Sequence, residues 1–291
     1  MNDPMRMHKH DAATAALREK IFDYARERME MDPPPLDGSA SWAELRAAMP
    51  DTVTEEGVGG DKALELFGTI LAPATMSIDH PGQVSFIPTA PSEASILFDL
   101  IVSASSIFGG SWMEGAGAVY AENEVLAWLA AEVGMPETSG GVFVQGGTIG
   151  NLSALVAARF AAEKKVGRKA GRWAFICSSE AHSSLKTAAR VMDVDIIAAQ
   201  ADENGQLGGA AVEAALLSAG ERDVFAIVAT GGTTNFGIVD RISEIAKVAN
   251  QNDVWLHIDG AYGLAAILAE STRELFAGIE HADSFIVDPH K

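Results

Sequence analysis

Beyond Gly140, short apolar runs alternate with longer stretches whose apolar residues recur at helical spacing. The apolar runs predict β-strands at 142–145, 173–177, 195–199, 224–229, 254–258 and 284–287. The stretches between them predict helices, among them 151–165, 183–192, 210–218, 241–250 and 271–281. This alternation predicts an α/β fold with a mainly parallel sheet that is covered by helices on both faces.

The first part of the chain shows helical periodicity and no strand alternation. Apolar residues lie at helical spacing within 11–30, and three prolines at 33–35 then interrupt the pattern. Two further helices are predicted at 42–49 and 62–71. We therefore expect a helical arm at 1–85 ahead of a larger domain at 86–291.

Composition narrows the possible partners and the compartment. Among 291 residues, 40 acidic and 21 basic side chains give a formal net charge of -19. The absence of a basic footprint argues against nucleic acid and anionic membranes as partners. The single cysteine, Cys177, lies in an apolar run and is expected in the core. The sequence begins without an apolar signal segment and has no run of about 18 apolar residues, so we expect a cytoplasmic protein.

Polar and glycine residues follow several of the predicted strands. In open α/β sheets, ligands bind beyond the carboxyl ends of the strands. The residues at these positions are Gly146, Gly147, Thr148, His182, Gly232, Thr233, Thr234, Asp259, His290 and Lys291. We expect them to converge on one edge of the sheet.

The segment 146–151 joins a predicted strand to a predicted helix. Its glycines would let the backbone approach a ligand, and the helix start offers free N–H groups to a phosphate. The spacing is neither that of a Walker A loop nor Gly-x-Gly-x-x-Gly. A tight turn in which Asn151 caps the helix is an equally weighted interpretation.

Asp259, His182 and Lys291 each have an ordinary interpretation and a chemical one. A carboxylate such as Asp259 at the mouth of a buried strand needs a partner, which could be a metal, a ribose or a protonated ring nitrogen. Alternatively it caps a turn. His182 alone is more typical of a helix cap, and Lys291 alone of a solvated surface charge. Burial at the ligand edge would instead lower the pKa of Lys291 toward that of a nucleophilic amine.

Several motifs together resemble the group II pyridoxal-phosphate-dependent decarboxylases, which include aromatic amino-acid and glutamate decarboxylases. The resemblance covers about residues 75–291. It is carried by Ser-Glu-Ala-His-Ser-Ser at 179–184, Ala-Thr-Gly-Gly-Thr-Thr at 229–234, Trp-Leu-His-Ile-Asp-Gly-Ala-Tyr-Gly at 255–263, Ala-Asp-Ser-Phe-Ile-Val-Asp-Pro-His-Lys at 282–291, and Phe-Ile-Pro-Thr-Ala at 86–90. It implies the large domain of the type I pyridoxal-phosphate-dependent fold, with a small C-terminal domain outside this sequence.

The resemblance implies a role for each matched residue. Lys291 would carry pyridoxal 5'-phosphate as a Schiff base, Asp259 would pair with the protonated pyridine nitrogen, and His182 would stack on the ring. Gly147 and Thr148 would hold the phosphate, Thr234 would orient Asp259 or the ring, and His290 would lie beside the aldimine or the phosphate. Thr89 and Trp112 would belong to the substrate pocket. The implied reaction converts an L-amino acid to an amine and CO2, and no residue is assigned to a metal.

The resemblance also implies a homodimer in which the arm at 1–85 serves dimerisation and the active site lies at the interface. Two departures matter. Asp288 stands where the aromatic enzymes have Asn, so a phosphate hydrogen bond from that position does not follow from the resemblance. The segment 109–114 has glycines where those enzymes carry bulky pocket residues, so the choice of substrate does not follow either. The enzymes of this family continue past the matching lysine, so we expect the natural chain to continue as well. The sequence would then end at Lys291 because that lysine is chemically modified or because the remainder is given separately.

Other functions are possible for the same residues. A carbon–carbon lyase of the sphingosine-phosphate lyase type, or a transaminating enzyme, would keep the cofactor and change the bond that is broken. A nicotinamide-dependent oxidoreductase would keep the sheet, but the chain lacks Gly-x-Gly-x-x-Gly and would give Lys291 no task. A non-catalytic binding module is a further alternative.

Overall fold

The computed structural model describes residues 9–166 and 171–291, which form two compact units. The first unit runs to Ala104 and includes His290, and the second comprises Ser105–Pro289 and Lys291. Across the described ranges, no helix combines the length and the apolar character needed to cross a membrane.

The first unit is helical. Its helices are α1 (Ala12–Met29), α2 (Trp42–Ala48), α3 (Gly60–Leu66) and α4 (Glu93–Ala104), and a π-helical turn, Phe67–Leu71, continues α3. The Asp11 side chain caps α1 by accepting the Thr14 N–H, and Ser41 and Glu44 form a reciprocal capping box on α2. An ion pair of 2.8 Å between Arg28 and Asp79 joins the last turn of α1 to the loop that follows the π-helical turn.

Helix α4 is apolar and yet has no buried residue. Its large apolar side chains, Ile96, Leu97, Phe98, Leu100, Ile101 and Val102, are between 40% and 65% exposed. An apolar surface of this extent is typical of a face that another protein surface covers.

The second unit contains five parallel strands in the order β2-β1-β3-β4-β5. They are β1 (Arg172–Ser178), β2 (Asp195–Ala199), β3 (Arg222–Thr230), β4 (Trp255–Asp259) and β5 (Ser284–Ile286). The helices are α5 (Trp112–Val133), α6 (Gly147–Val166), α7 (Ser183–Met192), α8 (Gly209–Leu217) and α9 (Ile242–Gln251). Because the strands are parallel, their carboxyl ends share one edge.

Successive side chains of β3 point to opposite faces of the sheet and belong to two different hydrophobic clusters. Ala226 and Val228 pack with α6 and α7 on one face, whereas Ile227 and Ala229 pack with α8 and α9 on the other. Both faces of the sheet are therefore covered, which confirms the predicted α/β fold with a parallel sheet between helical layers.

Several predicted elements differ from the structure. The strand predicted at 142–145 is wrong, because this run is irregular and Val142 and Phe143 are exposed. The helix predicted at 271–281 is also wrong: Gly278 takes φ +94° and separates two 3-10 turns. Helices α4 and α5 were not predicted. Helix α6 begins at Gly147, so Asn151 lies inside it and does not cap it.

Candidate active site

Strand β4 delivers Asp259 to the carboxyl edge of the sheet. Its alternation places Trp255, His257 and Asp259 on the face that packs against α6 and α7. Asp259 is 5% exposed. Its Oδ2 accepts a hydrogen bond of 2.9 Å from the Asn151 side-chain amide, and its Oδ1 accepts one of 3.3 Å from the Ala261 N–H. A buried carboxylate is thus held by donors rather than by a cation.

Asn151 is completely buried in the second turn of α6 and uses its whole amide. Its Nδ2 donates to Asp259 Oδ2 and to Ser184 Oγ, each at 2.9 Å. Its Oδ1 lies 2.9 Å from His257 Nε2. One side chain therefore joins α6 to β4 and to the start of α7.

His257 extends this network to the neighbouring strand. Its Nδ1 lies 2.9 Å from Ser284 Oγ on β5, and Ser284 Oγ also accepts the Trp255 indole N–H at 2.8 Å. Burial lowers the pKa of His257 to about 4, although the negative charge of Asp259 opposes that shift. The imidazole is therefore neutral at physiological pH.

His182 stands at the N-cap of α7, on the other side of Asn151. Its Nδ1 accepts the Ser184 N–H at 3.2 Å and lies 2.9 Å from Ser184 Oγ. His182 is exposed, whereas Ser184 is buried. The capping contact fixes the ring by its Nδ1 edge and leaves Nε2 free for another partner.

The start of α6 forms a second part of the edge. Gly146 takes φ +81°, which suits glycine. A methyl group on Gly147 would lie 2.9 Å from the Ala261 methyl and 3.5 Å from the Asp288 carboxylate, so only glycine fits there without a shift. Asp288 forms an ion pair of 2.9 Å with the Lys291 amine, and its N–H donates to the Ala261 carbonyl at 3.2 Å. Ala261 therefore links the Lys291 pair to Asp259.

The remaining predicted site residues are more open. Thr148 is exposed in the first turn of α6, and Trp112 is 60% exposed at the start of α5. Thr234 is exposed in the loop after β3, whereas the adjacent Thr233 is buried and its hydroxyl accepts the Ile238 N–H. Within the first unit, the Thr89 N–H donates to the His290 carbonyl at 2.8 Å. The roles predicted for these residues stay predictions.

Sequence reasoning missed Asn151, Ser184, His257 and Ser284 as members of the site. Two signals were present. Asparagine inside a helix is unfavourable unless its side chain has a specific partner, and two-residue alternation on β4 puts His257 on the side of Asp259. The serines carry no comparable signal.

The carboxyl edge of the sheet thus combines a buried carboxylate, a glycine turn at a helix start and a lysine amine. Residues 43–291 match the family described as "Pyridoxal-dependent decarboxylase conserved domain". The chain belongs to the pyridoxal-dependent decarboxylase family. This match confirms the resemblance that the sequence motifs indicated.

Two bacterial relatives are identical to this chain at about a third of the aligned positions. An aromatic-L-amino-acid decarboxylase of Bacillus atrophaeus is 32% identical over 253 residues, covering 85% of this chain and 52% of that protein. An L-2,4-diaminobutyrate decarboxylase of Rhizobium meliloti (strain 1021) is 33% identical over 246 residues, with coverages of 83% and 49%. The chain thus spans about half the length of the curated relatives it matches.

Solved structures agree with the fold of a pyridoxal-dependent decarboxylase. The glutamate decarboxylase domain of a Vibrio parahaemolyticus protein matches with a TM-score of 0.81 and 25% identity, covering 96% of this chain and 62% of that one. Catharanthus roseus tryptophan decarboxylase in complex with L-tryptophan matches with a TM-score of 0.85 and 22% identity, with coverages of 97% and 64%. These likenesses confirm the predicted type I fold.

The residues at this edge fit the pyridoxal phosphate that the family uses. The N-terminal turn of α6 offers backbone N–H groups next to a glycine that leaves room for close approach. Asp259 offers a buried acceptor to a protonated ring nitrogen, and Lys291 offers a primary amine. The donor set therefore matches the phosphate, the ring nitrogen and the aldehyde of the cofactor.

Proposed function

We propose that this chain is the cofactor-binding part of an enzyme that uses pyridoxal phosphate to decarboxylate an L-amino acid. The observation that carries the proposal is the bridge at Ala261. Its N–H contacts the buried Asp259 carboxylate and its carbonyl accepts from Asp288, the partner of the Lys291 amine. Decarboxylation is supported further by the names of the two relatives reported above, both of which are decarboxylases.

Each residue at the edge has a task that its surroundings allow. When bound, pyridoxal phosphate supplies the conjugated ring that accepts the electron pair left by departing CO2. Lys291 would be the amine to which the cofactor attaches, and Asp288 holds that amine at the edge. Asp259 would hold a proton on the ring nitrogen. Gly147 and Thr148 would hold the phosphate, and His182 would hold the ring by stacking.

Borohydride labelling tests the attachment. The native protein, loaded with pyridoxal phosphate and treated with borohydride, should carry a pyridoxyl group on the peptide that contains Lys291. Lys291→Ala should lose the label and nearly all turnover. Lys247→Ala, which removes an exposed lysine of α9, is the matched control and should keep both. A label on Lys291→Ala with normal turnover would refute the assignment.

The substrate is proposed only as a class. Aromatic amino acids and diamino acids are the first candidates, because the relatives are named for them. A panel of L-amino acids that also includes glutamate and aspartate, assayed for both CO2 and the amine, would identify the substrate. Release of an aldehyde or of a keto acid in place of CO2 would favour a lyase or a transaminating enzyme.

The proposal includes a homodimer, with the arm at 1–85 as the dimerisation segment, and a cytoplasmic location. The exposed apolar face of α4, which follows the arm in the sequence, supports the dimer, and the formal net charge of -19 disfavours an anionic membrane as the location. Removing residues 1–70 should give insoluble or inactive protein. Light scattering that finds a stable, fully active monomer at micromolar concentration would contradict the dimer.

A further inference from the structure

Asn151 contacts three polar groups of the proposed site. It donates to Asp259 and to Ser184, and it lies against His257, each at 2.9 Å. Because Asn151 is 0% exposed, water cannot replace these contacts. The network is therefore complete only with an amide at this position.

The orientation of the amide follows from its neighbours. A carboxylate only accepts hydrogen bonds, so the side-chain group facing Asp259 must be the NH2 of Asn151. The Oδ1 atom then faces His257 Nε2 and requires a proton there. In the neutral ring, Nδ1 is left to accept from the Ser284 hydroxyl, and Ser284 Oγ remains an acceptor for the Trp255 indole N–H, which can only donate.

The hydrogen bonds between Asn151, Ser184 and His182 also have a defined donor and acceptor at each step. The Ser184 N–H can only donate, so His182 Nδ1 must be unprotonated. The Ser184 hydroxyl therefore donates to Nδ1 as well, and its oxygen accepts from Asn151. His182 then carries its proton on Nε2, the atom that the capping contact leaves free.

We infer that Asn151 is a positioning residue that sets the hydrogen-bonding state of Asp259, His257 and His182 together. It gives the Asp259 carboxylate a hydrogen-bond donor, and it supplies the acceptor that selects one tautomer of His257. Its NH2 group also directs the Ser184 hydroxyl toward His182 Nδ1, which the Ser184 N–H already keeps unprotonated, so that the Nε2–H of His182 points away from the cap. The inference rests on the proposed function, because the benefit is a cofactor site ready before the cofactor binds.

Two substitutions at Asn151 separate this role from simple space filling. Asn151→Asp keeps the shape but places a second carboxylate against Asp259, so the donor returns only when the pair takes up a proton. Asn151→Ala removes the amide at every pH. The titratable groups in contact with this position are Asp259 and His257, and His182 lies one hydrogen bond further.

The measurement is the Kd of pyridoxal phosphate for the apo-protein, from absorbance titrations at pH 8, 7 and 6, expressed relative to wild type at each pH. Both variants should bind at least tenfold more weakly at pH 8. The loss should shrink toward pH 6 for Asn151→Asp and stay constant for Asn151→Ala. Asn250→Asp makes the same change on the exposed side of α9 and should bind as wild type does.

Binding within twofold of wild type by both variants would overturn the inference, and so would equal losses that do not change with pH. If circular dichroism shows that the Asn151 variants are unfolded, Ser184→Ala decides. Binding that is three- to tenfold weaker supports the inference, and unchanged binding overturns it. A wild-type protein that binds no pyridoxal phosphate would instead overturn the proposed function and the inference with it.

Discussion

Two buried polar clusters in the second unit are built in different ways. In the cluster around Asn151, side chains satisfy one another: an amide, two serines, two histidines and Asp259 are joined across α6, α7, β4 and β5. In the cluster around Asp240, one carboxylate accepts backbone N–H groups, from Thr230 at 2.7 Å and from Leu207 at 2.8 Å. The second cluster fastens the end of β3 to the segment before α8.

The two clusters also shift the pKa of their titratable groups in opposite directions. Burial raises the pKa of Asp240 to about 6 and lowers that of His257 to about 4. A shifted pKa therefore does not by itself mark a functional site. The cluster around Asn151 differs because its hydrogen bonds lead to His182 and Asp259 at the open edge of the sheet. The hydrogen bonds of Asp240 lead to backbone N–H groups.

The largest expected effect is a loss of activity on substitution in the cluster around Asn151. Asp259→Asn should lower the rate about a thousandfold or more, because a neutral amide cannot keep the ring nitrogen protonated. The free energy of unfolding should fall by only about 1 kcal/mol, because the new amide oxygen can still accept from Asn151 while the new NH2 group leaves the partly buried Ala261 N–H without its acceptor. Steady-state kinetics and urea denaturation would be compared with Asp253→Asn, an exposed carboxylate before β4. Activity within about tenfold of wild type, some 1.4 kcal/mol in barrier, would refute the role.

The reverse result is expected at Asp240. Asp240→Ala leaves the N–H groups of Thr230 and Leu207 without their acceptor, at about 1–3 kcal/mol for each buried donor. We expect the free energy of unfolding to fall by about 2–4 kcal/mol, with the cofactor Kd of the folded fraction within about twofold of wild type. Glu213→Ala on the exposed side of α8 is the control. Lost cofactor affinity at unchanged stability would place Asp240 in the site.

The contrast explains what the sequence could predict. The parallel sheet and the position of Asp259 followed from apolar periodicity and strand ends, which are local signals. The exposed, irregular run at 142–145 has the same apolar composition as a strand. Only the tertiary structure shows that it does not pair with a neighbouring strand. The bonds from Asn151 to Ser184, His257 and Asp259 span 33, 106 and 108 residues, so no local pattern contains them. Asp240, too, was found only through its contacts.

A smaller effect concerns the pH dependence of stability. His257 has a lowered pKa, so its contribution to stability is full above pH 6.5 and is lost as the pH falls through about 4. Asp240 has a raised pKa, so its contribution is full below pH 3.8 and is lost as the pH rises through about 6. The two contributions oppose each other between pH 4 and 6 and should largely cancel in the wild type.

Single substitutions would reveal each contribution as a difference from wild type in urea unfolding. From pH 4 to 6, the stability of His257→Gln relative to wild type should fall, and that of Asp240→Asn should rise. Each change should reach about 1–3 kcal/mol, because one pKa unit corresponds to about 1.4 kcal/mol. Differences that stay constant over this range would show that neither group titrates as its burial indicates.

The smallest effect is expected at the far end of the Asn151 cluster. Ser284→Ala removes the acceptor of the Trp255 indole N–H and the donor to His257 Nδ1, but it leaves the contact between His257 and Asn151 in place. The free energy of unfolding should fall by about 1 kcal/mol, the usual net value of a hydrogen bond, because Trp255 is only partly buried. Asp259 keeps its donor, so the cofactor Kd should stay within about twofold of wild type. Urea unfolding followed by tryptophan fluorescence, with Ser271→Ala as an exposed control, would measure the first quantity. A tenfold loss of cofactor affinity would show that the state of Asp259 depends on the whole chain of hydrogen bonds and not on Asn151 alone.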